Sequence, residues 1–138
     1  MQANSSLSLN KYIVKNMHFS INDDFEFNQD KTIELTPEFT RQIKKIDNNN
    51  ALVNLIFRIE NENLDLPFSI EVDIEGLFHM DNWEAPSSVP LMTTNSISIL
   101  FPYLRSIVTM LTANANISPY ILPVMNINAL FDQEKESV

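Results

Sequence analysis

Two runs of alternating apolar and polar residues constrain the fold of this chain more than any other feature. Within residues 66–75, every second position is apolar, and the positions between carry mostly serine or acidic residues. In residues 51–59 every odd position is apolar, and Asn54 and Arg58 stand at positions between them. Because successive side chains of a strand point to opposite faces, each run predicts a strand with one buried face and one solvent-facing face. Together they predict a half-exposed antiparallel sheet.

Two further extended segments precede this pair. Most odd positions of residues 7–21 are apolar, and this pattern predicts a long strand. Tyr12 and Val14 interrupt its polar face, which suggests a bulge or a second contact surface. Residues 33–43 predict another strand, which Pro37 would confine to a sheet edge or a bulge.

The spacing of apolar residues becomes helical after residue 95. The residues of this stripe are Ile97, Leu100, Phe101, Leu104, Ile107, Val108 and Leu111. Spacing of three and four residues predicts a helix that packs one face on the sheet. Proline is tolerated in the first turn of a helix, so Pro102 predicts either a start near Leu100 or a kink.

A second apolar face widens this helical stripe. Its residues are Ile99, Tyr103, Ile107 and Met110. One face of the helix would cover its own sheet, so we expect these residues to form an interface with another subunit.

The length and composition favour one domain. A chain of 138 residues with 44% hydrophobic content can bury one core but hardly two. Strands followed by a helix define an α+β fold, here a four-stranded antiparallel sheet followed by a long helix. The predicted domain covers residues 1–138, with the sheet at about 7–78, a connecting loop at 79–94, a helical region at 95–131 and a short tail at 132–138.

The residue inventory excludes several kinds of chemistry. Gly76 is the single glycine, so neither a phosphate-binding loop nor a G-x-S-x-G nucleophile elbow can be present. The chain has no cysteine, and His18 and His79 lack partners at the spacing of metal ligands. Acidic residues alternate on the outward face of residues 66–75, where a solvated surface is the simpler interpretation than acid–base catalysis. We expect no enzymatic activity, no metal and no cofactor.

Charge and hydropathy bear on location and partners. The sequence shows no basic-then-apolar leader and no run of about 18 apolar residues, so we expect a soluble, cytoplasmic protein without membrane insertion. A net charge of −9 disfavours nucleic acid as a partner. An acidic surface would instead favour encounters with basic polypeptides.

Several large apolar residues lie in polar, loop-like sequence. They are Phe25, Phe27, Phe78, Met80 and Trp83. Core packing, a binding groove and a subunit interface are all open interpretations for them. Phe and Met side chains on adaptable loops suit the recognition of many sequences.

The helical region resembles the SecB family of protein-export chaperones. Residues 99–105 read ILFPYLR and residues 122–131 read LPVMNINALF. The family has a similar L-F-P-Y-x-R on its first helix and a P-V-N-F-D-A-L-F run leading into its second. A weaker likeness extends upstream through nearly the whole chain.

The resemblance implies a SecB-like fold, with a short second helix near the C-terminus, assembled as a dimer or a dimer of dimers. It also implies ATP-independent holding of unfolded chains in a long apolar groove. The residues that would contribute to this groove are Phe25, Phe27, Ile127, Leu130 and Phe131, and Phe78, Met80 and Trp83 are further candidates.

Acidic side chains of the family sheet help to dock the translocase ATPase SecA, and the resemblance assigns this role to Glu71. Asn16 and Ser20 stand at two other positions where the family is acidic. We also expect a second helix shorter than that of the family, because only seven residues follow Phe131.

The sequence therefore predicts a chaperone that holds non-native polypeptides, with a role in protein export. A dedicated partner of a single client, such as an antitoxin, is the alternative within the family. A structural or ligand-carrying α+β oligomer, in which the aromatic residues line interfaces, is the alternative from another class.

Overall fold

The computed structural model describes residues 6–25, 35–60, 66–115 and 130–131. The elements in these ranges are strands β1 (Leu7–Ile21), β2 (Glu38–Lys45), β3 (Asn50–Ile59) and β4 (Phe68–Met80), and helix α1 (Ser88–Asn114). The second segment of α1, Leu91–Asn95, is π-helical.

The four strands form one antiparallel sheet in the order β1-β4-β3-β2. Leu55 lies opposite Ile74 and Phe57 lies opposite Val72, so the inward residues of the two central strands meet on one face. Every second residue of β3 and β4 is buried beneath α1, and the residues between are half-exposed. The predicted α+β arrangement of four antiparallel strands and a long helix is confirmed.

The positions of β1 that point toward α1 switch from odd to even and back again along the strand. The β1–β4 register shifts between Leu9 and Lys11, and again between Val14 and Asn16. These two bulges place Tyr12 and Val14 on the side of the sheet that faces α1, and they turn Ile13 to the other side. The predicted bulge is confirmed, because each extra residue inverts the alternation of inward and outward positions.

The start of the helix differs from the sequence-based prediction. The sequence predicts a connection at residues 79–94, whereas in the structure β4 continues to Met80 and α1 begins at Ser88. Pro102 lies inside the helix and not in its first turn. The segment before residue 96 is rich in serine and threonine, whose hydroxyls bond back along the helix, as in the 2.7 Å bond from Thr93 Oγ1 to the Val89 carbonyl. That polar composition hides the first turns from a search for apolar periodicity.

Helix α1 is long enough and apolar enough to cross a bilayer by length and composition alone. Ile97, Leu100, Leu104 and Val108 are fully buried against the sheet. The apolar character of the helix is accounted for by its contact with its own core.

The single glycine lies on the inward face of β4, where side chains of β1, β4 and α1 converge. A Cβ at Gly76 would lie 2.7 Å from Phe78 Cε2, 3.0 Å from Leu100 Cδ2 and 3.1 Å from Leu9 Cδ1. All three atoms belong to side chains packed in or against the core. Glycine at this position permits the contact between helix and sheet.

We expect Gly76→Ala to lower the free energy of unfolding by about 1–3 kcal/mol, because the added methyl overfills a packed core. Urea denaturation followed by circular dichroism measures this change. Ser69→Ala, on the opposite face of the same strand, is the matched control and should change stability by less than about 0.5 kcal/mol. Equal stability of Gly76→Ala and the unmodified protein would contradict the close approach of helix and sheet.

Candidate functional site

The edge strand β2 presents a row of side chains toward the start of α1. Arg41, Ile43 and Lys45 lie opposite fully buried residues of β3, so they share the face that α1 covers. The helix does not reach over them fully, and Ile43 and Lys45 remain exposed. We call the group formed by Arg41, Ile43, Lys45, Trp83 and Phe131 the edge-strand surface.

Aromatic rings position both cations of the edge-strand surface. The Arg41 guanidinium lies 4.3 Å from the centroid of the Phe131 ring, and Arg41 Nη1 donates a 2.7 Å hydrogen bond to the Thr93 carbonyl in the π-helical turn. The Lys45 ammonium lies 5.1 Å from the centroid of the Trp83 ring. Cation–π contacts hold charge above an apolar ring, and of the two pairs only Lys45 with Trp83 is open to solvent, because Phe131 is buried beneath Arg41.

A cleft of about 250 Å³ lies beside Trp83. Its lining residues are Lys45, Asn48, Asn49, Asp81, Asn82, Trp83 and Glu84. The Trp83 indole Nε1 is buried and has no hydrogen-bond partner within the described part of the chain. The cleft combines one aromatic wall with polar and charged groups.

A hydrogen-bond network fixes the corner of the sheet next to this cleft. Asp81 accepts from the Ser6 hydroxyl and lies 3.0 Å from His79 Nε2. Asn49 Nδ2 donates to the Met80 carbonyl at 3.3 Å and to the Asp81 carbonyl at 3.2 Å. These bonds join the start of β1, the end of β4 and the β2–β3 turn.

Hydrogen bonds at this corner also stabilise two carboxylates, those of Asp81 and Asp47, in their charged form. The hydrogen bond from Ser6 lowers the pKa of Asp81, and His79 adds to the effect. The backbone N–H of Asn49 lowers the pKa of Asp47, with a further contribution from the Asn50 side chain.

The structure separates the predicted groove residues. Phe78 and Met80 are fully buried in the core, which corrects the expectation that they line an accessible groove. They lie on the inward face of β4, beneath α1, and the pattern of residues 66–75 in fact continues to Met80.

The other groove candidates occupy different places. Trp83 and Phe131 both contact cations of β2, but Phe131 is buried in the core, whereas Trp83 and Leu130 are half-buried against it. Phe25 is half-buried in the segment after β1. Phe27 and Ile127 lie outside the described residues. Sequence reasoning missed Arg41 and Lys45, although the basic run RQIKK at 41–45 stands out in an acidic chain.

The face of the sheet away from α1, which we call the open face, carries paired charges. Arg58 Nη2 donates to Glu71 Oε1 at 2.6 Å, and Arg58 Nε lies 3.2 Å from Glu60 Oε1. The hydrogen bond with Glu71 raises the pKa of Arg58 above its ordinary value. Asn54 Nδ2 donates to Asp73 Oδ1 at 2.9 Å. The carboxylate predicted to dock SecA therefore already has a cationic partner on the neighbouring strand.

A shallow depression of about 240 Å³ also lies on the open face. Its lining residues are Lys11, Ile13, Leu52, Glu75 and Leu77. Three aliphatic side chains form its apolar part, and one charge of each sign borders it.

The outer side of α1 meets β1 through two tyrosines. The rings of Tyr12 and Tyr103 lie 4.4 Å apart between centroids, and both residues are exposed. Of the predicted interface residues, Tyr103 and Met110 are exposed, whereas Ile99 and Ile107 are partly buried against the core. An apolar surface therefore remains at the side of the sheet where β1 is the edge strand.

Among the residues that the structure describes, no three His, Cys, Asp or Glu side chains cluster as metal ligands would. The arrangement offers recognition of a polypeptide through charge, aromatic rings and a strand edge.

Comparison with known proteins identifies similar sequences over nearly the whole chain. The family model for preprotein translocase subunit SecB matches residues 1–138. An uncharacterized protein of Methanocaldococcus jannaschii is 30% identical over 135 residues, which cover 95% of this chain and 86% of that protein. The protein-export protein SecB of Nitrosococcus oceani is 28% identical over 138 residues, which cover 96% of this chain and 83% of that protein.

Solved structures with a similar fold include the SecB-like chaperone of Mycobacterium tuberculosis in complex with a ChAD peptide from the HigA1 antitoxin. The TM-score is 0.66 at 13% identity, with 86% of this chain and 90% of that chain covered. A Streptococcus agalactiae protein of unknown function gives a TM-score of 0.53 at 15% identity, with 88% of this chain and all of that chain covered. At these identities the similarity is one of fold.

The corner network predicts a pH dependence of stability. The folded-state pKa of Asp81 lies below its ordinary value of 3.8, so its charged form stabilises the fold above that pH, and the contribution is lost as the pH falls further. We expect Asp81→Asn to be less stable than the unmodified protein at neutral pH, with a difference that shrinks below pH 3.8. Urea denaturation at several pH values measures it. Asp23→Asn is the control, and an equal, pH-independent loss in both variants would contradict the assignment.

Proposed function

Because the chain belongs to the SecB family, we propose that it is a molecular chaperone that holds non-native polypeptides without using ATP. The observation that carries the proposal is the edge-strand surface. Apolar side chains are left exposed there and beside it, with Val89 65% exposed, Ile46 50% and Ile43 37%. Exposed apolar groups along a sheet edge, next to aromatic rings, suit the capture of extended chains.

Physical chemistry supports this use of β2. An edge strand keeps a row of unpaired backbone groups that an extended polypeptide can meet. The cation–π contacts position Trp83 and Phe131 beside that edge. The similar fold of the Mycobacterium tuberculosis chaperone, which was solved with a bound peptide, supports peptide binding on this fold.

We propose that the groove is built around Trp83 and Leu130, which are half-buried, with the buried ring of Phe131 as its floor. The family resemblance adds Phe25, Phe27 and Ile127 to it. Phe78 and Met80 support it from the core beneath and do not contact the client.

The choice between a role in export and a single dedicated client depends on the open face. Docking of SecA would use Glu71, which is paired with Arg58, while Asn16 and Ser20 on the same face carry no charge. The net negative charge available for docking is therefore small at this end of the sheet. The arrangement favours a chaperone that acts on one or a few clients over one that delivers preproteins to SecA.

We further propose that the protein assembles as a dimer or a dimer of dimers. Strand β1 is an edge strand of 15 residues, longer than most edges that monomeric proteins leave open. Tyr12, Met17, Tyr103 and Met110 are exposed along it and on the adjacent side of α1. A second copy that covers these apolar groups would remove them from water.

The proposal includes a cytoplasmic location and no catalytic activity. Holding a client is a binding equilibrium, and its free energy comes from apolar burial and backbone pairing, so no nucleotide is needed.

Suppression of aggregation tests the chaperone proposal. We expect the protein, without ATP, to keep a chemically unfolded model protein soluble at close to one client per oligomer. Ile43→Ser should weaken this protection about fivefold, because burial of one aliphatic side chain in the complex contributes about 1 kcal/mol or more. Ile13→Ser, the same change on the open face, should have little effect. Binding can be followed by the fluorescence of Trp83, the only tryptophan.

Two negative results in these assays would lead to different conclusions. The protein could protect none of the clients tested and still bind a hydrophobic fluorescent dye in its folded state. That result would argue for a single dedicated partner. Absence of both client protection and dye binding would favour a structural or ligand-carrying oligomer with closed interfaces.

Light scattering tests the assembly. We expect the mass of a dimer or tetramer, and we expect Met110→Lys to shift the mass downward, because it places a charge in the apolar contact. Ser98→Lys, an exposed position on α1 away from Met110, is the control. A monomer mass for the unmodified protein would contradict the proposed interface.

A further inference from the structure

The open face of the sheet has two chemically different ends. Glu71 and Asp73 lie toward one end, where Arg58 donates a 2.6 Å hydrogen bond to Glu71. The other end lies next to the β2–β3 turn, and there the face presents Lys11 and Lys44, both exposed. We call this second part the lysine end of the open face.

Four side chains form one row across the lysine end. Lys11 on β1 lies opposite Leu77 on β4, and Leu77 lies opposite Leu52 on β3. Leu52 in turn lies opposite Lys44 on the outer strand β2. The row reads cation, aliphatic, aliphatic, cation. Neighbouring strands are about 4.8 Å apart, so about 14 Å separates the backbones of the two lysines.

The middle of this row is apolar and accessible. Leu52 and Leu77 line the depression of about 240 Å³, and both are half-exposed. Ile13 on β1 lines it as well and is 49% exposed. An apolar side chain that enters the depression removes three aliphatic groups from water, which favours binding.

Both lysines of the row are available to a partner. Within the described ranges, neither Lys11 nor Lys44 forms an ion pair or a hydrogen bond. Glu75 borders the same depression, but it lies in the next row, opposite Ile13. Glu75 therefore fixes the position of an acidic partner, because a shift of one row toward Asp73 would bring like charges together.

The dimensions of the row define a ligand that fits it. Four residues of an extended polypeptide span about 13 Å, and its alternate side chains point to one face. A segment that lies across the strands can place one acidic residue at Lys11 and a second, four positions later, at Lys44. The residue midway between them then lies over Leu52 and Leu77, where an apolar side chain fits.

We propose that the lysine end of the open face is a docking site for a polypeptide segment with two acidic residues four positions apart and an apolar residue midway between them. The site goes beyond the proposed chaperone function, because it lies on the opposite side of the sheet from the edge-strand surface. A partner can therefore dock there while a client is held. The net charge of −9 opposes an acidic partner only weakly at contact, since charges farther away than the Debye length are screened.

Lysine on an edge strand also protects a sheet against self-association. In that role Lys44 and Lys45 act alike, because both add charge to strand β2. They differ in the face that they occupy, since Lys45 lies opposite buried Ala51 on the side of α1. A comparison between the two lysines therefore separates docking from protection.

NMR of the full chain, labelled at isoleucine and leucine methyl groups, tests the site. The probe is a glycine-capped Glu-Ser-Leu-Ser-Glu peptide, titrated to millimolar concentration. We expect shifts at the methyl groups of Ile13, Leu52 and Leu77 and none at Ile43 of the edge-strand surface. A peptide with lysine for each glutamate, and one with serine for leucine, should each bind at least about threefold more weakly.

Substitutions identify the charges that the probe meets. Lys11→Gln and Lys44→Gln should each weaken binding of the glutamate peptide about threefold, in the range of one exposed charge pair. Lys45→Gln, the matched control on the other face of β2, should leave it nearly unchanged. All three lysines are exposed, so none of the substitutions should change the urea midpoint.

Four results would overturn the inference. They are the absence of shifts at the three aliphatic residues, shifts confined to the edge-strand surface, equal or tighter binding of the lysine peptide, and equal effects of Lys44→Gln and Lys45→Gln. Suppression of aggregation, measured on the same preparations, reports the chaperone function separately. We expect Lys11→Gln to protect clients as well as the unmodified protein does, because it lies on the open face and away from β2.

Discussion

The contact between helix α1 and the inward face of β3 and β4 is the interaction on which the rest of the structure depends. Leu55, Val72 and Ile74 on the sheet and Leu100 and Leu104 on the helix are fully buried. Burial of each such side chain contributes about 1.5–3 kcal/mol, so this layer supplies most of the apolar stabilisation. Side chains from the helix and the sheet converge at Gly76 and leave little room for a Cβ, so glycine suits that position of β4. One helix over the two central strands also leaves both outer strands only partly covered.

The two outer strands are left with different chemistry, and this difference separates their roles. Strand β1 is long and carries exposed Tyr12 and Met17 on the side of α1, where Tyr103 continues the apolar surface. Strand β2 is short and basic. Apolar groups without strong charge suit a permanent contact between identical subunits, whereas an aromatic and charged edge suits a ligand that must also leave. The proposed assembly therefore uses one edge and leaves the other to clients.

Much of the fold could be predicted from the sequence, because strands and helices with one buried face and one solvent-facing face have the strongest hydrophobic periodicity. Burial alternates without exception along β3 and β4, and the residues that broke the alternation of β1 lie between its two bulges. The start of α1 could not be predicted, since Thr93 and its neighbours satisfy backbone groups with hydroxyls and leave no apolar stripe. The burial of Phe78 and Met80 was also not predicted. The polar residues that surround Met80 in the sequence suggested that the strand ended earlier than it does.

The candidate site was less predictable than the fold, because its character comes from contacts between distant segments. Trp83 was identified as a large apolar residue in loop-like sequence, but nothing local indicates that Lys45 lies over its ring. The same holds for Arg41, which joins β2 to the π-helical turn and to Phe131. On the open face, by contrast, Glu71 is paired with its direct cross-strand neighbour, and this pairing cancels the charge that sequence position alone would assign to it. In the described part of the chain, the Glu71 charge on the open face is therefore already paired, whereas exposed apolar side chains and the Trp83 ring meet at the outer strand β2.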